Sequence, residues 1–441
     1  MIYTMSFIVP TMVFVGCWMC LTVNVPYWDD YDVFIRYLSE PWPDRWEHLF
    51  DFHNEHRIVT TRLIADAIVA LNGGTFNFRA MMGVGNAIQL AYAFMWIWAF
   101  KKSRYGIMAA LPAFWLLTAF IHYENTCWAL CAVQNVIVVA LTFASCILFS
   151  FRKQNRIALA GSMLCGIAAT FSSGSGLIVW PCIIAMELSQ PLSESGAWGK
   201  GIRNIKQHIK SSIRRILPVF LIATIAIYAY FNDFPCNEVE QTSDIHAKLI
   251  NGLFFFTAFL GGILPMYPAA LVLGTILLPL IAFITIRYPR IRRPGIYWFM
   301  VAEILTMLAA ATFRSSDPHA AVSSRYCIVS CSAFASIIYL SLEQFPLSTR
   351  TAKICVILLT GVIILYTTAF LIIGAPLFAK RNELMRHNIL TWPAHIGGLR
   401  SASPESDSIY LFKCVNRGIY NPSAVLSPDE TPPEKPLPWL H

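Results

Sequence analysis

The chain has 441 residues, of which 56% are hydrophobic and only 13% are charged. So few charged groups cannot cover a water-soluble globule of this size, and the solvent must be largely lipid. The net charge of +8 does not indicate nucleic-acid binding, because the basic residues stand in short clusters between apolar segments, as membrane topology requires.

Apolar runs long enough to cross a bilayer follow one another along the chain. A helix needs about 20 residues to cross roughly 30 Å of hydrocarbon, and continuous apolar runs favour helices over a barrel. The first run lacks the basic start and cleavage site of a signal peptide. We therefore expect an all-α polytopic membrane protein with about 11 spans, in a range of 11 to 13, at 2–24, 77–100, 105–122, 126–150, 157–172, 175–190, 214–231, 267–287, 296–313, 325–343 and 353–374.

Two further segments, 58–71 and 247–264, are shorter or more polar and are predicted as interfacial helices. If neither crosses, all basic clusters lie on the cytoplasmic side, as the positive-inside rule requires; if both cross, the clusters between them become external. The clusters are 101–104, 152–156, 200–215, 287–293 and 350–353. The predicted N-terminus is then cytoplasmic, and the external segments are the loops 25–76, 122–126, 232–266 and 313–324 and the short tail 375–441.

Three carboxylates follow the first predicted helix directly: Asp29, Asp30 and Asp32, set among aromatic residues. Such a cluster can activate a hydroxyl group or hold a divalent cation such as Mg²⁺ or Mn²⁺. The alternative is that the carboxylates are merely solvated and that Tyr27 and Trp28 belong to the aromatic belt at the membrane surface.

The same loop continues to a run of polar residues just before the first interfacial helix, namely His53, Asn54, Glu55, His56 and Arg57. The two histidines stand at i, i+3 and are candidate metal ligands, but the rest of a zinc site is not evident. Polar anchoring or contact with a phosphate is the favoured interpretation.

Other polar residues are predicted on the same face: Glu124 and Asn125 in a tight turn, Arg314 at the end of one helix, and Arg325 and Tyr326 at the start of the next. Arginine suits phosphate because its planar fork donates two hydrogen bonds at once, although arginines at helix ends also snorkel to headgroups. Arg57, Arg314 and Arg325 beside a carboxylate cluster indicate a site for an anionic, lipid-linked substrate.

Most of the cysteines lie in apolar runs and are predicted to behave as small hydrophobes: Cys17, Cys20, Cys131, Cys146, Cys165, Cys182, Cys331 and Cys355. Their spacing does not indicate zinc or an iron–sulfur cluster. Cys236 and Cys414 fall in segments predicted to be external, where a disulfide is an option. Glu303 lies within an apolar helix, where functional and structural interpretations are both open.

The order of these features resembles the GT-C superfamily of membrane glycosyltransferases, which includes aminoarabinose transferases and protein O-mannosyltransferases. The resemblance covers residues 1 to about 345 and rests on Trp28-Asp29-Asp30, His53 to Arg57, Glu124-Asn125, the stretch 171–181 (FSSGSGLIVWP) and Ser324-Arg325-Tyr326. It implies a GT-C-like helical bundle over 1–374, with 25–76 as the catalytic outer loop of a bacterial inner-membrane protein.

The resemblance also implies a reaction. A sugar passes from a polyprenyl-phosphate donor to a hydroxyl of a surface glycan, lipopolysaccharide or glycolipid on the periplasmic face, with inversion. Asp29 or Asp30 is then the base, with or without a divalent cation. The expected donor-phosphate ligands are Arg57, Arg314 and Arg325, and the expected substrate contacts are His53, Glu55, His56, Glu124, Asn125 and Tyr326.

Two other functions fit the same topology. A transporter or flippase of lipid-linked saccharides needs polar groups across the membrane interior, whereas the ionisable residues here gather on one predicted face. An acyltransferase or ligase needs a catalytic histidine or nucleophile in the membrane plane, and no such motif is evident. The enzyme is therefore the favoured expectation.

Overall fold

A computed structural model of the protein describes residues 2–101, 103, 105–153, 155–194, 202–235, 245–287, 293–314, 317–345, 348–392 and 394–425. Cys236, the Pro-rich end of the tail and parts of several basic clusters lie outside these residues, so the Cys236–Cys414 pairing is not described. Cys414 is buried, and its thiol donates to the Ile35 carbonyl oxygen at 3.2 Å.

The described chain is almost entirely helical. Its α-helices, in order, are α1 Ile2–Leu21, α2 Tyr37–Ser39, α3 Asp44–Glu47, α4 Val59–Leu71, α5 Phe78–Lys101, α6 Leu111–Leu117, α7 Tyr123–Cys127, α8 Ala129–Ser150, α9 Arg156–Thr170, α10 Val179–Glu194, α11 Ile202–Phe231, α12 Ile245–Leu260, α13 Tyr267–Ile286, α14 Pro294–Arg314, α15 Cys327–Gln344, α16 Thr349–Thr391 and α17 Pro404–Asn416. A π-helical turn, Tyr31–Arg36, precedes α2. One small hairpin pairs β1 Phe52–His53 with β2 His56–Arg57.

Several of these helices are long and apolar enough to cross a membrane, which indicates a multi-pass membrane protein. Within the described residues the candidates are Phe78–Lys101, Ile107–Cys127, Ala129–Ser150, Tyr267–Ile286, Pro294–Arg314, Cys327–Gln344 and Arg350–Thr391. Shorter apolar helices cover Met5–Leu21, Arg156–Thr170, Gly174–Ser189, Ile216–Phe231 and His246–Leu260. Every segment predicted to cross coincides with one of these helices.

Lipid as the solvent explains the large apolar side chains on the outside of the bundle. Val272, Ile276 and Leu365 are all more than 60% exposed. The interior is close-packed in contrast: the Phe143 ring lies 4.7 Å from Trp96 in a tilted arrangement and meets Phe299 edge to face at 5.0 Å. Gly85 of α5 lies so close to α8 that a Cβ there would overlap the Ala132 carbonyl group. Small residues at helix crossings allow such backbone contact in membranes.

The helix α12, which covers most of the segment 247–264 predicted as interfacial, packs closely on α13. Gly261 abuts Ala270, and Gly274 abuts Thr257, so α12 and α13 run antiparallel in close contact. The two glycines permit this approach because they carry no side chain at the crossing. The last turn of α12 is buried, as Phe259 and Leu260 show.

The helix α4 matches the predicted short helix over 58–71 and is fastened to the first loop. Arg62 and Asp66 share one face but bind different partners. Asp66 accepts from Arg45 at 2.7 Å and from the Tyr37 hydroxyl at 2.6 Å. Arg62 is buried and donates to backbone carbonyl groups of the loop, including that of Asp51. The loop is thereby held against α4 by charge-assisted hydrogen bonds.

The hydropathy predicted that the last span ends at residue 374, but the helix is longer. α16 continues to Thr391, past Pro376. The chain then returns as α17, which packs on the first loop. The Trp28 N–H donates to the Arg400 carbonyl oxygen at 2.6 Å, and the Tyr420 hydroxyl donates to that of Asn24 at 2.8 Å. The described part of the tail is therefore built into the fold.

Candidate active site at the loop-rich end

The connecting segments meet at one end of the bundle, here called the loop-rich end: the first loop 22–58, the turns at 122–128, 171–174 and 232–235, and the segment 317–326. Thr60 donates its backbone N–H to the Phe171 carbonyl oxygen at 3.0 Å. The Glu124 N–H donates to the Ser324 hydroxyl oxygen, also at 3.0 Å. Segments far apart in sequence but predicted to share a face are thus in contact.

At this end His53 lies between two carboxylates of the first loop. The His53 Nδ1 atom is 2.8 Å from the Asp32 Oδ2 atom, and its Nε2 atom is 4.0 Å from the Asp29 Oδ2 atom. His53 is buried on the strand pair β1–β2, which reverses at Asn54 with a positive φ of 51°. The hairpin therefore presents the imidazole to a turn in which Asp29 and Asp32 stand three residues apart.

The two carboxylates have opposite electrostatic environments. Burial raises the pKa of Asp29, and His53 and Arg325 oppose this only in part. The hydrogen bond from His53 lowers the pKa of Asp32. Neighbouring groups whose pKa values are pushed apart in this way are typical of acid–base sites. Asp29, with about a quarter of its side chain exposed, is the carboxylate that a substrate can reach.

The side chain of Asp30, the other predicted base, is directed to the backbone. Its side chain is 1% exposed; its Oδ1 atom accepts from the Leu130 N–H at 2.9 Å, and its Oδ2 atom accepts from the Tyr27 N–H at 3.1 Å. Burial raises its pKa well above the usual value, while these two backbone hydrogen bonds oppose the shift. Asp30 ties the first loop to the start of α8, and Asp29 is the better candidate for the base.

Arg325 lies over an aromatic surface. Its guanidinium carbon is 5.2 Å from the ring centre of Tyr326 and 5.8 Å from that of Trp128. Its Nε atom is buried and makes no hydrogen bond with any described residue. A buried donor without a partner is costly in a folded protein unless a ligand or water satisfies it.

Glu124 and Asn125 hold the backbone of Arg325. The Glu124 Oε2 atom accepts from the Arg325 N–H at 2.8 Å and from the Ser323 hydroxyl at 3.1 Å. The Asn125 side chain donates to the Arg325 carbonyl oxygen at 3.1 Å. The two residues predicted to contact substrate thus hold the backbone of Arg325 in place.

Arg314, Glu55 and His56 form a second group. Arg314 donates to the Glu55 Oε1 atom at 2.9 Å and lies over Tyr326, 5.7 Å from its ring centre. The His56 Nδ1 atom accepts from the Gly174 N–H at 3.3 Å, and its Nε2 atom is 3.6 Å from Glu55. Burial lowers the pKa of His56 to about 4, so the ring is neutral near pH 7. His56 thereby ties the hairpin to the turn after α9.

The prediction that Arg57 binds the donor phosphate is not supported. Arg57 is buried, and its guanidinium donates to the carbonyl oxygens of Phe50, Tyr230 and Asn232 while it lies 4.2 Å from the ring centre of Phe52. With all three nitrogens engaged in this way, it anchors the hairpin to the end of α11.

Arg381 is a site residue that the sequence did not reveal. It lies on the unpredicted extension of α16, with its guanidinium carbon 4.7 Å from the ring centre of Tyr27. Tyr27 in turn meets Trp128 edge to face at 5.2 Å. The Nε atom of Arg381 is buried without a hydrogen bond to a described residue. Arg325 lies over one ring of this aromatic pair, and Arg381 lies over the other. Arg381 could have been predicted at this end of the molecule if the last helix had been extended through the stretch 380–386.

Asp29 and Asp30 differ in what they offer a divalent cation. Both oxygens of Asp30 accept backbone N–H groups. The described group of three or more metal-ligand side chains lies elsewhere, at His122, Cys327 and Cys331.

A polar cavity of about 240 Å³ adjoins this site. Its walls include Asp32, Arg36, His48, Asp51 and Tyr410. Asp32 belongs both to this cavity and to the group around His53, so the cavity and that group share a side chain.

Comparison of the chain with protein-family models, with curated proteins and with solved structures finds no match in any of the three.

Proposed function

We propose that the protein is a membrane glycosyltransferase that moves a sugar from a polyprenyl-phosphate donor to an acceptor hydroxyl, with Asp29 as the base. The observation that carries this proposal is a half-buried carboxylate of raised pKa, beside His53 and within the electrostatic influence of Arg325 and Arg314. Sugar transfer from a lipid phosphate needs both parts: a base for the attacking hydroxyl and cations for the departing phosphate.

In this reaction Asp29 accepts the proton of the acceptor hydroxyl as its oxygen attacks the anomeric carbon. Attack from the face opposite the phosphate inverts that centre. His53, held by Asp32, shapes the wall beside Asp29 and orients the acceptor. General base catalysis of this kind contributes typically 10²–10⁴-fold to a rate.

The departing polyprenyl phosphate carries growing negative charge. Arg325 and Arg381, whose Nε atoms are buried without a hydrogen bond to a described residue, and the half-exposed Arg314 are suited to stabilise it. The aromatic rings of Tyr27, Trp128 and Tyr326 keep these cations in place by cation–π contact. The exposed apolar sides of the spanning helices leave the polyprenyl tail in lipid.

The proposed orientation puts the loop-rich end on the external, periplasmic side of a bacterial inner membrane. Arg152, Lys153 and Arg287 follow the C-terminal ends of α8 and α13, and Arg350 and Lys353 begin α16, at the ends of these helices away from the site. Basic residues at that end favour a cytoplasmic position for it.

A flippase of lipid-linked saccharides is the second candidate, and Glu303 is the observation that favours it. This carboxyl group is 3% exposed within α14, and its Oε2 atom makes no hydrogen bond with a described residue. Ionisable groups in membrane helices often mark transport paths. The enzyme is preferred because the other candidate groups gather at one end rather than along a path.

The test is release of free polyprenyl phosphate by the purified protein in detergent, supplied with polyprenyl-phosphate sugars and glycan acceptors. We expect Asp29→Asn to lower the rate about 10²–10⁴-fold. Asp44→Asn, which changes an exposed carboxylate of the same loop, serves as the matched control and keeps the rate. A fully active Asp29→Asn variant would contradict the assignment of the base. Movement of labelled lipid across proteoliposomes without bond cleavage would favour the flippase.

A further inference from the structure

Three thiol and imidazole side chains that the proposed reaction does not use meet inside the bundle. They are His122, at the end of a helical turn before α7, and Cys327 and Cys331 of α15. One ligand atom from each lies within 4.8 Å of the others, and none of the three side chains is more than 4% exposed. The two cysteines stand at i, i+4 and therefore share one face of the helix.

The imidazole of His122 has the form of a metal ligand. Its Nε2 atom is 2.7 Å from the Leu116 carbonyl oxygen, which requires a proton on Nε2. The Nδ1 atom then carries the lone pair, and it is buried without a hydrogen bond to any described residue. Histidines that bind metals usually donate their other ring N–H to a backbone carbonyl group or a carboxylate, which fixes the tautomer in this way.

The two sulfur atoms are also suitably spaced. Two thiolates bound to one tetrahedral Zn²⁺ at about 2.3 Å each are about 3.8 Å apart. The Cys327 and Cys331 Sγ atoms are 3.7 Å apart. A ring nitrogen of His122 lies no more than 4.8 Å from the sulfurs, and a tetrahedral site requires about 3.6 Å, so the site closes with a movement of at most about 1.2 Å.

We propose that His122, Cys327 and Cys331 bind a Zn²⁺ ion. Two thiolates neutralise a divalent cation, and a neutral group is the one that a buried, low-dielectric position tolerates. Cu⁺, the other common thiophilic cation, carries only one positive charge, so with two thiolates it would leave a net negative charge in this buried position. Mg²⁺ and Ca²⁺ prefer oxygen ligands, which this group does not offer. Three protein ligands and a water molecule are the pattern of open zinc sites.

The place of this ion in the fold suggests its role. His122 stands two residues before Glu124, and Cys327 stands two residues after Arg325. The Glu124 carboxylate accepts the Arg325 N–H. The ion therefore joins the two segments, 200 residues apart, that orient Arg325, and it would hold them together whatever substrate the protein uses.

The experiment measures zinc in the full chain, purified in detergent without chelator, by elemental mass spectrometry. We expect about one zinc per chain in the unaltered protein and less than about a tenth of that in Cys331→Ser. Cys146→Ser, which changes a thiol equally buried in α8, is the matched control and keeps the zinc. X-ray absorption of the unaltered protein should show two sulfur ligands at about 2.3 Å and at least one nitrogen.

Several results would overturn the proposal. Unaltered protein that holds no zinc and takes up none on incubation with a zinc salt has no such site. Zinc retained by Cys331→Ser, or zinc without sulfur ligands, places the ion elsewhere, and copper instead of zinc contradicts the charge argument. If the serine variant fails to fold, the absorption spectrum of the unaltered protein decides the matter without it.

Discussion

Asp29 and Asp30 are neighbours in the chain but point into different surroundings. The turn that begins the π-helical segment directs Asp30 to the backbone of α8 and leaves Asp29 beside His53. The backbone of Trp28 has a positive φ of 51° in this turn. The chemistry of the two carboxyl groups differs because their hydrogen-bond partners differ.

The raised pKa of Asp29 predicts the pH dependence of the proposed reaction. A base works only when deprotonated, so the rate should fall as the pH is lowered through the pKa of Asp29. Because burial raises that pKa, the rate should begin to fall at a higher pH than it would with an ordinary aspartate, whose pKa is about 3.9. The measurement is kcat/KM against pH for polyprenyl-phosphate release.

Asp32→Asn offers an independent check of this assignment. The negative charge of Asp32 helps to raise the pKa of Asp29, so its removal should move the acid limb to lower pH. A limb that survives in Asp29→Asn would show that another group controls the rate, and an unmoved limb in Asp32→Asn would show that the charge of Asp32 does not set its position.

Asp30→Asn should affect stability. An amide can accept one of the two backbone N–H groups but turns an NH₂ group toward the other, so a buried donor is left unsatisfied at a cost of about 1–3 kcal/mol. The free energy of unfolding in detergent measures this, with Asp29→Asn as the comparison, since Asp29 is part-exposed. Equal stability of the two variants would contradict the anchoring role of Asp30.

Among the helices, α5 and α8 show how close backbone contact sets the packing. Gly85→Ala should destabilise the protein by about 1–3 kcal/mol, because a Cβ at this position overlaps the Ala132 carbonyl group and the helices must separate. Gly361→Ala is the matched control: it places the same methyl group on α16, where no atom lies within 4 Å. Thermal unfolding in detergent distinguishes the two, and similar losses in both would mean that crowding at Gly85 is not the cause.

The length of α16 decides which arginines reach the candidate site. Hydropathy falls near residue 374, but the helix continues to Thr391 because its further residues pack on other segments: Met385 and Ile389 are buried, and the Asn382 side chain donates to the Leu21 carbonyl oxygen at 2.7 Å. This continuation carries Arg381 to Tyr27. A span ending in solvent would have left that arginine out of the site.

For the molecule as a whole, the proposed orientation can be tested by labelling with a membrane-impermeant maleimide. Glu47 is exposed at the loop-rich end, and Arg350 is exposed at the start of α16, at the other end of the bundle. We expect Glu47→Cys to react in intact cells with a permeabilised outer membrane and Arg350→Cys to react only after lysis. The unaltered protein measures the background from exposed Cys20 and Cys355. The reverse pattern would put the candidate site on the cytoplasmic side.

The residues alone were enough to predict a helical membrane protein, the positions of its apolar helices and the loops that come together, because hydropathy and basic clusters act locally along the chain. They were not enough to predict the different surroundings of Asp29 and Asp30, the backbone partners of Arg57, the place of Arg381 beside Tyr27, or the meeting of His122 with Cys327 and Cys331. Each of these depends on partners that lie far away in sequence: Leu130 for Asp30, Tyr230 for Arg57 and Tyr27 for Arg381. Only folding brings residues so distant in sequence into contact. The burial of each side chain and its new partners then set its charge and its hydrogen bonds.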